Sequence, residues 1–235
     1  MITLTKEDNM KLMSRYPDGY FDLAIIDPEY GQGASKPSKK SIRCVQKNGS
    51  ILNVKQKIYK HKDWDDKPAG REFFDEVKRV SKHQIVWGVN NYDYIFGKGR
   101  IVWDKMNGES DQYGCEIAYC SLNDRTDIVH YMWAGMFQGK YCGLDIRKAL
   151  VQQGNKKLNE KRGHPTQKPI LLYKWLLDSY ALKGWKILDT NYGFGSLGLA
   201  CHDYGYDLVA CEKDEDIFES AQERLVNHQN QLKMF

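Results

Sequence analysis

Residues 27–30 form the tetrapeptide in this sequence that is best suited to chemistry. Asp27, Pro28, Glu29 and Tyr30 directly follow the apolar run FDLAII at 21–26, whose composition predicts a short buried strand. The tetrapeptide therefore places a carboxylate, a restricted backbone and an aromatic ring at the mouth of that strand. Taken alone, the pattern is equally typical of an Asp-Pro turn with a surface tyrosine.

A second candidate site follows the apolar run that ends at Asp189. Gly193 and Gly195 allow tight turning and close approach by a ligand, and a helix after them would point free N–H groups at that ligand. Glu212, at the end of the next predicted strand, can accept hydrogen bonds from both ribose hydroxyls of a nucleoside. Gly198 lies within the helix and not where a pyrophosphate-binding glycine would be, which favours a cofactor without pyrophosphate. The alternative is an ordinary turn whose glycines serve packing.

The elements that must position these two sites alternate between helix and strand along the chain. Such alternation is typical of an α/β fold with a mainly parallel sheet. Residues 31–63 lack apolar periodicity and predict a long loop, with a short strand near 51–54. The polar, mixed stretch 123–163 predicts an insertion outside the sheet. The predicted helices are 71–82, 169–182, 196–205 and 214–228, and the predicted strands are 21–26, 84–88, 100–104, 115–122, 185–189 and 206–212.

The composition is that of a globular protein, with 41% hydrophobic and 28% charged residues among 235. No apolar stretch approaches the roughly 20 residues of a membrane span, and the N-terminus lacks the apolar centre of a signal peptide. The six cysteines include no Cys-x-x-Cys pair. We therefore expect a reduced, cytoplasmic protein without a metal site.

Positive charge is concentrated in one segment. Nine Lys or Arg residues and no acid lie between Gly31 and Lys62, so the rest of the chain has a net charge of −5 against a total of +4. A basic segment on a mildly acidic body favours contact with a polyanion. A solvated, mobile loop would have the same composition.

The tetrapeptide, the glycine turn and a third motif, HPTQKP at 164–169, together resemble the β-class DNA amino-methyltransferases, which use S-adenosylmethionine. The signature tetrapeptide of that family is Asp/Asn/Ser-Pro-Pro-Tyr/Phe/Trp, and its motifs follow this circularly permuted order. The resemblance covers nearly the whole chain. It implies a Rossmann-like methyltransferase fold, with a mainly parallel twisted sheet and helices on both faces. It also implies a catalytic half at 1–122, a short target-recognition insertion at 123–163 and a cofactor-binding half at 164–235.

The resemblance implies methyl transfer to the exocyclic amine of a base flipped out of duplex DNA. That amine is a poor nucleophile because its lone pair is delocalised into the ring. The Asp27 carboxylate and the Pro28 carbonyl would accept hydrogen bonds from its two N–H groups. The carboxylate would also stabilise the positive charge that develops on nitrogen. Tyr30 would stack on the base, a contact worth about 1–3 kcal/mol.

The resemblance also assigns the other site residues. The turn 193–195 would line the methionine part of the cofactor, Glu212 the ribose and Asp8 the adenine end, while Thr166 and Lys168 would face the carboxylate. His164 is expected to shape a turn. Trp87, Trp103 and Trp133 are expected in the core or at its rim. The implied cofactor contacts are Asp8, Asp27, Thr166, Lys168, Asp189, Asn191, Gly193, Gly195, Ser196 and Glu212, and the implied DNA contacts are Lys36, Lys39, Lys40, Arg43 and Lys47.

Three residues depart from the family pattern. Glu29 replaces the second proline of the tetrapeptide, and Thr190 and Asn191 replace a Pro-Phe pair. An aromatic ring near the cofactor is then missing unless Tyr192 or Phe194 supplies it.

Asp at the first position of the tetrapeptide favours adenine N6 over cytosine N4 as the target. We therefore expect a site-specific DNA adenine methyltransferase of restriction–modification type that acts on double-stranded DNA as a monomer or homodimer. The alternatives are cytosine-N4 methylation, methylation of RNA or of a protein amide, and a DNA-binding homologue that has lost catalysis.

Overall fold

The computed structural model of the protein describes residues 1–32, 42–45, 51–54, 65–106, 114–134, 137–140, 159–163 and 166–231. The strands in these ranges are β1 (Ile2–Lys6), β2 (Phe21–Ile26), β3 (Ile42–Val45), β4 (Ile51–Val54), β5 (Ser81–Trp87), β6 (Arg100–Asp104), β7 (Cys115–Cys120), β8 (Thr126–Ala134), β9 (Phe137–Lys140), β10 (Lys186–Asp189) and β11 (Asp207–Glu212). The helices are α1 (Asn9–Met13), α2 (Arg71–Val80), α3 (Ile170–Tyr180), α4 (Ser196–Tyr204) and α5 (Glu215–Gln229), with a 3₁₀ turn at Val89–Asn91.

One sheet dominates the described part of the chain. It contains nine strands in the order β1-β11-β10-β2-β5-β7-β6-β8-β9. The first five in that order are parallel to one another. Strand β7 is antiparallel to both β5 and β6, β8 is parallel to β6, and β9 is antiparallel to β8. The sheet is therefore mixed and mostly parallel, which confirms the predicted fold class.

The sheet brings two distant segments of the chain together. Strands β2 and β10 are neighbours, and their register pairs Leu23 with Ile187 and Ala24 with Leu188. Because the two strands are parallel, their carboxyl ends lie at the same edge of the sheet. Asp27 and Asp189 therefore come from adjacent strand ends.

Helices cover both faces of the sheet, which explains the nearly continuous apolar run in β2. Leu23 and Ile25 are buried in a core that includes residues of α3 and α4. Ala24 and Ile26 point the other way, into a core that includes residues of α1 and α2. Successive side chains of a strand face opposite sides, so a strand covered on both sides is apolar throughout.

Most predicted elements are confirmed, and they differ mainly at their ends. The strands predicted at 21–26 and 100–104 coincide with β2 and β6. The helix predicted over 71–82 ends at Val80, because Ser81 already pairs with Phe21 in the sheet.

The prediction that 123–163 lies outside the sheet is wrong for β8 and β9, which extend it. The alternation of β8 is hidden in the sequence. Asp127 is turned inward and accepts a hydrogen bond from the hydroxyl of Tyr180 at 2.7 Å, whereas Ile128 is 55% exposed. A charge on the inner face and an apolar side chain on the outer face invert the usual pattern. The target-recognition role of 123–163 and the three domain boundaries remain predictions.

The segment predicted as a loop at 31–63 contains the expected strand, β4, and also β3, which was not predicted. The two strands pair as a separate antiparallel hairpin. None of the described helices is both long and apolar enough to span a bilayer.

Truncation of Phe74 should test the aromatic packing on the α2 face. Its ring lies against Phe73, Tyr92, Tyr94 and Phe96 at centroid separations of 4.8–5.2 Å. We expect Phe74→Ala to lower the free energy of unfolding in urea by about 3–5 kcal/mol. Val226→Ala, at a position that is 47% exposed, should change it by less than about 0.5 kcal/mol. Equal effects of the two substitutions would contradict this packing.

Candidate active site

A cavity of about 400 Å³ opens beside the carboxyl ends of the parallel strands, the usual position for a ligand in such a sheet. Its wall includes the turns after β2, β10 and β11 and the segment before α3. Both sites predicted from the sequence therefore face the same space. The predicted residues that line it are Asp27, Pro28, Tyr30, Thr166, Lys168, Asn191, Gly193, Gly195, Ser196 and Glu212.

Two tyrosine hydroxyls hold the candidate acceptor groups of the turn after β2. The Tyr30 hydroxyl donates to Asp27 Oδ1 at 2.7 Å, and the Tyr92 hydroxyl donates to the Pro28 carbonyl oxygen at 3.0 Å. A carboxylate oxygen and a carbonyl oxygen each have two lone pairs. Both groups can therefore accept a further hydrogen bond from a ligand while they stay fixed.

The backbone of this turn is supported from behind. The N–H of Gly31 donates to Asp65 Oδ1 at 2.8 Å, and Tyr30 forms an isolated β-bridge with Pro68. Gly88, with φ +74°, lies so close to the Tyr30 ring that a Cβ there would overlap it. Glycine at 88 thus satisfies both a left-handed backbone and the approach of the ring.

Beneath the turn, a buried ammonium group joins two carboxylates. Lys168 Nζ forms an ion pair with Asp27 Oδ2 and lies 3.1 Å from Glu116 Oε2. It also lies 3.2 Å from the Tyr30 hydroxyl oxygen, and Lys105 Nζ lies 2.5 Å from Glu116 Oε1. The Lys168 side chain is only 3% exposed, so its charge depends on these partners.

The pKa values of Asp27, Glu116 and Lys168 are shifted in different ways within this cluster. Burial raises the pKa of Asp27, although Lys168 opposes that shift. Burial also acts to raise the pKa of Glu116, but Lys168 and Lys105 outweigh it and lower that pKa to about 2. Burial acts to lower the pKa of Lys168, yet the Asp27 and Glu116 carboxylates raise it above 10.5. Lys168 and Glu116 are therefore charged at neutral pH.

The glycine turn after β10 is fixed by the acid that ends β11. The N–H of Gly193 donates to Glu212 Oε2 at 3.0 Å, and the N–H of Asp214 donates to Glu212 Oε1 at 2.9 Å. Gly195 precedes α4 with φ +79°. The Glu212 carboxylate thus lies on the cavity wall, bridges two turns and keeps a lone pair on each oxygen.

Tyr192 and Phe194 both line the cavity, so aromatic rings are present despite the missing Pro-Phe pair. A Cβ at Gly198 would overlap the Tyr192 ring, and a Cβ at Gly163 would overlap the Phe194 ring. Gly198 therefore serves packing, in agreement with its predicted place inside the helix.

Two of the predicted cofactor contacts are not among the residues that line the cavity. Asp189 is 4% exposed, and its Oδ1 accepts from the N–H of Asn191 at 3.1 Å. Asp8 caps α1, since its Oδ1 accepts from the N–H groups of Met10 and Lys11. Its neighbours Glu7 and Asn9 line the cavity instead. Contact of Asp8 and Asp189 with a cofactor remains a prediction, as does contact of Lys168 with the cofactor's carboxylate.

Most of the basic segment after the tetrapeptide lies outside the described residues. Arg43 is described only as part of β3. The predicted contacts Lys36, Lys39, Lys40 and Lys47, together with His164, lie outside the described residues.

Glu116, Lys105 and Tyr92 contribute to the site without having been predicted. Glu116 lies near the start of β7, and because β7 is antiparallel to β5 its start reaches the edge where β5 ends. The sequence predicted this strand but not its direction. Tyr92 follows β5 in the stretch WGVNNY, where nothing local indicates its bond to Pro28.

The tryptophans agree with their prediction as core or rim residues. Trp87 is fully buried, and Trp103 and Trp133 are 1% and 2% exposed. Trp103 and Trp133 also line the cavity. The described residues contain no group of three or more His, Cys, Asp or Glu side chains placed to hold a metal ion.

Comparison with known proteins finds similarity along most of the chain. The family model N6_N4_Mtase, described as DNA methylase, matches residues 29–223. The sequence is 22% identical over 246 residues to the type II methyltransferase M2.DpnII of Streptococcus pneumoniae, covering 94% of this chain and 88% of that protein.

The fold is similar to that of M1.HpyAVI in its complex with SAM, with a TM-score of 0.55 and 17% identity over 96% of this chain and all of that one. It is also similar to the cytosine-N4-specific PvuII DNA methyltransferase, with a TM-score of 0.52 and 11% identity over 97% of this chain and 91% of that one. At these identities the likeness shows a shared fold.

The buried Asp189 should make stability depend on pH. Burial raises its pKa from 3.8 to about 8, so the folded protein holds a proton that the unfolded chain has released between those values. This contribution to stability is therefore lost as the pH rises from 3.8 toward 8. We expect Asp189→Asn to unfold at a higher urea concentration, relative to wild type, at pH 8 than at pH 5. The exposed Asp18→Asn serves as control, and a difference from wild type that is independent of pH would contradict the assignment.

Proposed function

The chain belongs to the DNA methylase family of N6 and N4 amino-methyltransferases, and on this premise we propose that it methylates the exocyclic N6 of adenine in double-stranded DNA. The resemblance seen in the sequence is thereby confirmed at the level of the family. The methyl donor is S-adenosylmethionine, as the family and a SAM-bound structural neighbour indicate.

The observation that supports this function is the meeting of two turns on one cavity. Asp27 Oδ1 and Oδ2 and the Pro28 carbonyl belong to the turn after β2, whereas Gly193 and Gly195 belong to the turn after β10, its neighbour in the sheet. An amine held by the first turn therefore faces a ligand held by the second. Such placement lowers the barrier to reaction by fixing orientation in advance.

The acceptors act on the amine in two ways. Asp27 and the Pro28 carbonyl accept hydrogen bonds from its two N–H groups and so fix the direction of the nitrogen lone pair. As nitrogen forms its new bond it gains positive charge, which the Asp27 carboxylate stabilises more in the transition state than in the ground state. Tyr30 and Tyr92 hold these acceptors in place, so little reorganisation is needed.

The residues of the second turn fit a nucleoside cofactor. Glu212 presents a carboxylate with spare acceptor capacity for two ribose hydroxyls. Gly193, where the position of a Cβ is clear of neighbouring side chains, leaves room at the wall for close approach, whereas Gly195 packs against the Tyr192 ring. Asn191, Ser196 and Thr166 supply further polar groups on the cavity wall. When bound there, the cofactor supplies an electrophilic methyl group on a sulfonium.

Adenine is proposed because the tetrapeptide begins with Asp, whereas Ser at that position is commoner for cytosine-N4 enzymes. The family covers both reactions. Duplex DNA is proposed as partner because the basic segment at 31–62 directly follows the catalytic tetrapeptide and would bind phosphates in a salt-sensitive way. The target base would be flipped into the cavity, and the enzyme would act in the cytoplasm as a monomer or homodimer.

Methyl transfer can be tested with labelled cofactor and genomic DNA that lacks methylated bases. We expect wild type to label the DNA and nucleoside analysis to find N6-methyladenine. Asp27→Ala should reduce the rate by at least about 100-fold, since it removes the group that stabilises the developing charge. Asp18→Ala, at a side chain that is 84% exposed, should leave the rate unchanged.

Three results would refute the proposal. N4-methylcytosine without methyladenine would overturn the choice of base. Labelling of RNA or protein, with none in DNA, would overturn the choice of acceptor. Retained DNA binding without calorimetric binding of S-adenosylmethionine would indicate a homologue that has lost catalysis.

A further inference from the structure

The three residues that depart from the family pattern are linked through Asn191, which contacts both Thr190 and Glu29. Glu29 belongs to the turn after β2, and Thr190 and Asn191 belong to the turn after β10, yet all three line the same cavity. Glu29, Thr190 and Asn191 therefore form one connected group of side chains.

A chain of polar contacts joins these side chains. The Thr190 hydroxyl donates to Asn191 Oδ1 at 2.7 Å, which leaves the Asn191 amide nitrogen free to point at the other turn. Asn191 Nδ2 donates to Glu29 Oε2 at 3.3 Å, and Lys213 Nζ lies 3.2 Å from Glu29 Oε1. The Glu29 side chain is only 18% exposed. One carboxylate thus links the turns after β2, β10 and β11.

The contacts of Glu29 take the place of the backbone constraint that a proline at position 29 would impose. A proline at position 29 would fix its own φ and stiffen the tetrapeptide from within. Glu29 has no such ring, but its carbonyl accepts from the N–H of Ala69 at 3.2 Å and its carboxylate is held on both sides. The turn is then held from outside, by side chains of the turns that would bind the cofactor.

We propose that Glu29 is a positioning residue, which fixes Asp27 relative to the methyl donor through Asn191. The inference rests on the proposed methyl transfer. Glu29 acts on the acceptor turn and not on cofactor affinity, so its loss should lower kcat at saturating cofactor while the Kd for S-adenosylmethionine changes little. A purely structural role in the cofactor site would produce the opposite pattern.

The test compares Glu29→Ala with Glu29→Gln. We expect Glu29→Ala to lower kcat about tenfold or more, because small displacements of a reacting group have large effects on rate. Glutamine can still accept from Asn191, so Glu29→Gln should retain kcat within about threefold of wild type. Glu215→Gln, which removes a comparable carboxylate paired with Lys6 at the surface, is the matched control and should match wild type.

A double-mutant cycle isolates the contact itself. If the Asn191–Glu29 hydrogen bond is what positions the turn, the double variant Glu29→Ala/Asn191→Ala should be no slower than the slower single variant. Multiplicative losses in kcat would overturn the proposal, as would a Glu29→Ala variant with unchanged kcat or with a loss confined to cofactor Kd. Calorimetric binding of S-adenosylmethionine to the wild-type protein separates a failure of the proposed function from a failure of the Glu29 inference. Failure to bind S-adenosylmethionine would overturn the proposed function and this inference with it, whereas binding and turnover with no Glu29 effect would overturn the inference alone.

Discussion

The buried ammonium group of Lys168 is the constraint on which the site depends. With 3% of its side chain exposed, it is stable as a cation only where carboxylates replace its water, and Asp27 and Glu116 do so. Asp27 follows β2, Glu116 lies near the start of β7, and Lys168 itself belongs to the segment before α3. Three separate parts of the chain must therefore converge for the charge to be satisfied, and their convergence forms one side of the cavity. The same contact fixes the Asp27 carboxylate from below while the Tyr30 hydroxyl fixes it from the side.

The sheet makes this convergence possible. Because β2 and β10 are parallel neighbours, an acceptor turn from early in the chain and a cofactor turn from late in it open at one edge. The reversed strand β7 then adds Glu116 to that edge from the other end of a strand. Polar bonds between turns complete the arrangement: Glu212 ties the turn after β11 to Gly193, and Glu29 ties the acceptor turn to Asn191. Fold and site are thus specified together.

Local patterns in the sequence were sufficient for elements whose burial is simple. The run at 21–26 is apolar except for Asp22 because β2 is covered on both faces. The glycines at 193 and 195 indicate a turn from local sequence alone. The site residues Glu116 and Tyr92 depend on pairings across the sheet, which no local pattern encodes. Strand β8 was missed because Asp127 faces inward and Ile128 faces solvent. The stretch therefore read as polar and mixed, without the alternation that indicates a strand.

A crystal structure of the protein with S-adenosylhomocysteine and a duplex that contains the sequence it methylates would test the proposed site most directly. We expect a flipped adenine whose N6 lies within about 3.2 Å of both an Asp27 carboxylate oxygen and the Pro28 carbonyl oxygen. We also expect the cofactor sulfur on the side of Gly193 and Gly195, facing that nitrogen. A base bound elsewhere on the protein, or a cofactor outside the cavity between these two turns, would contradict this arrangement.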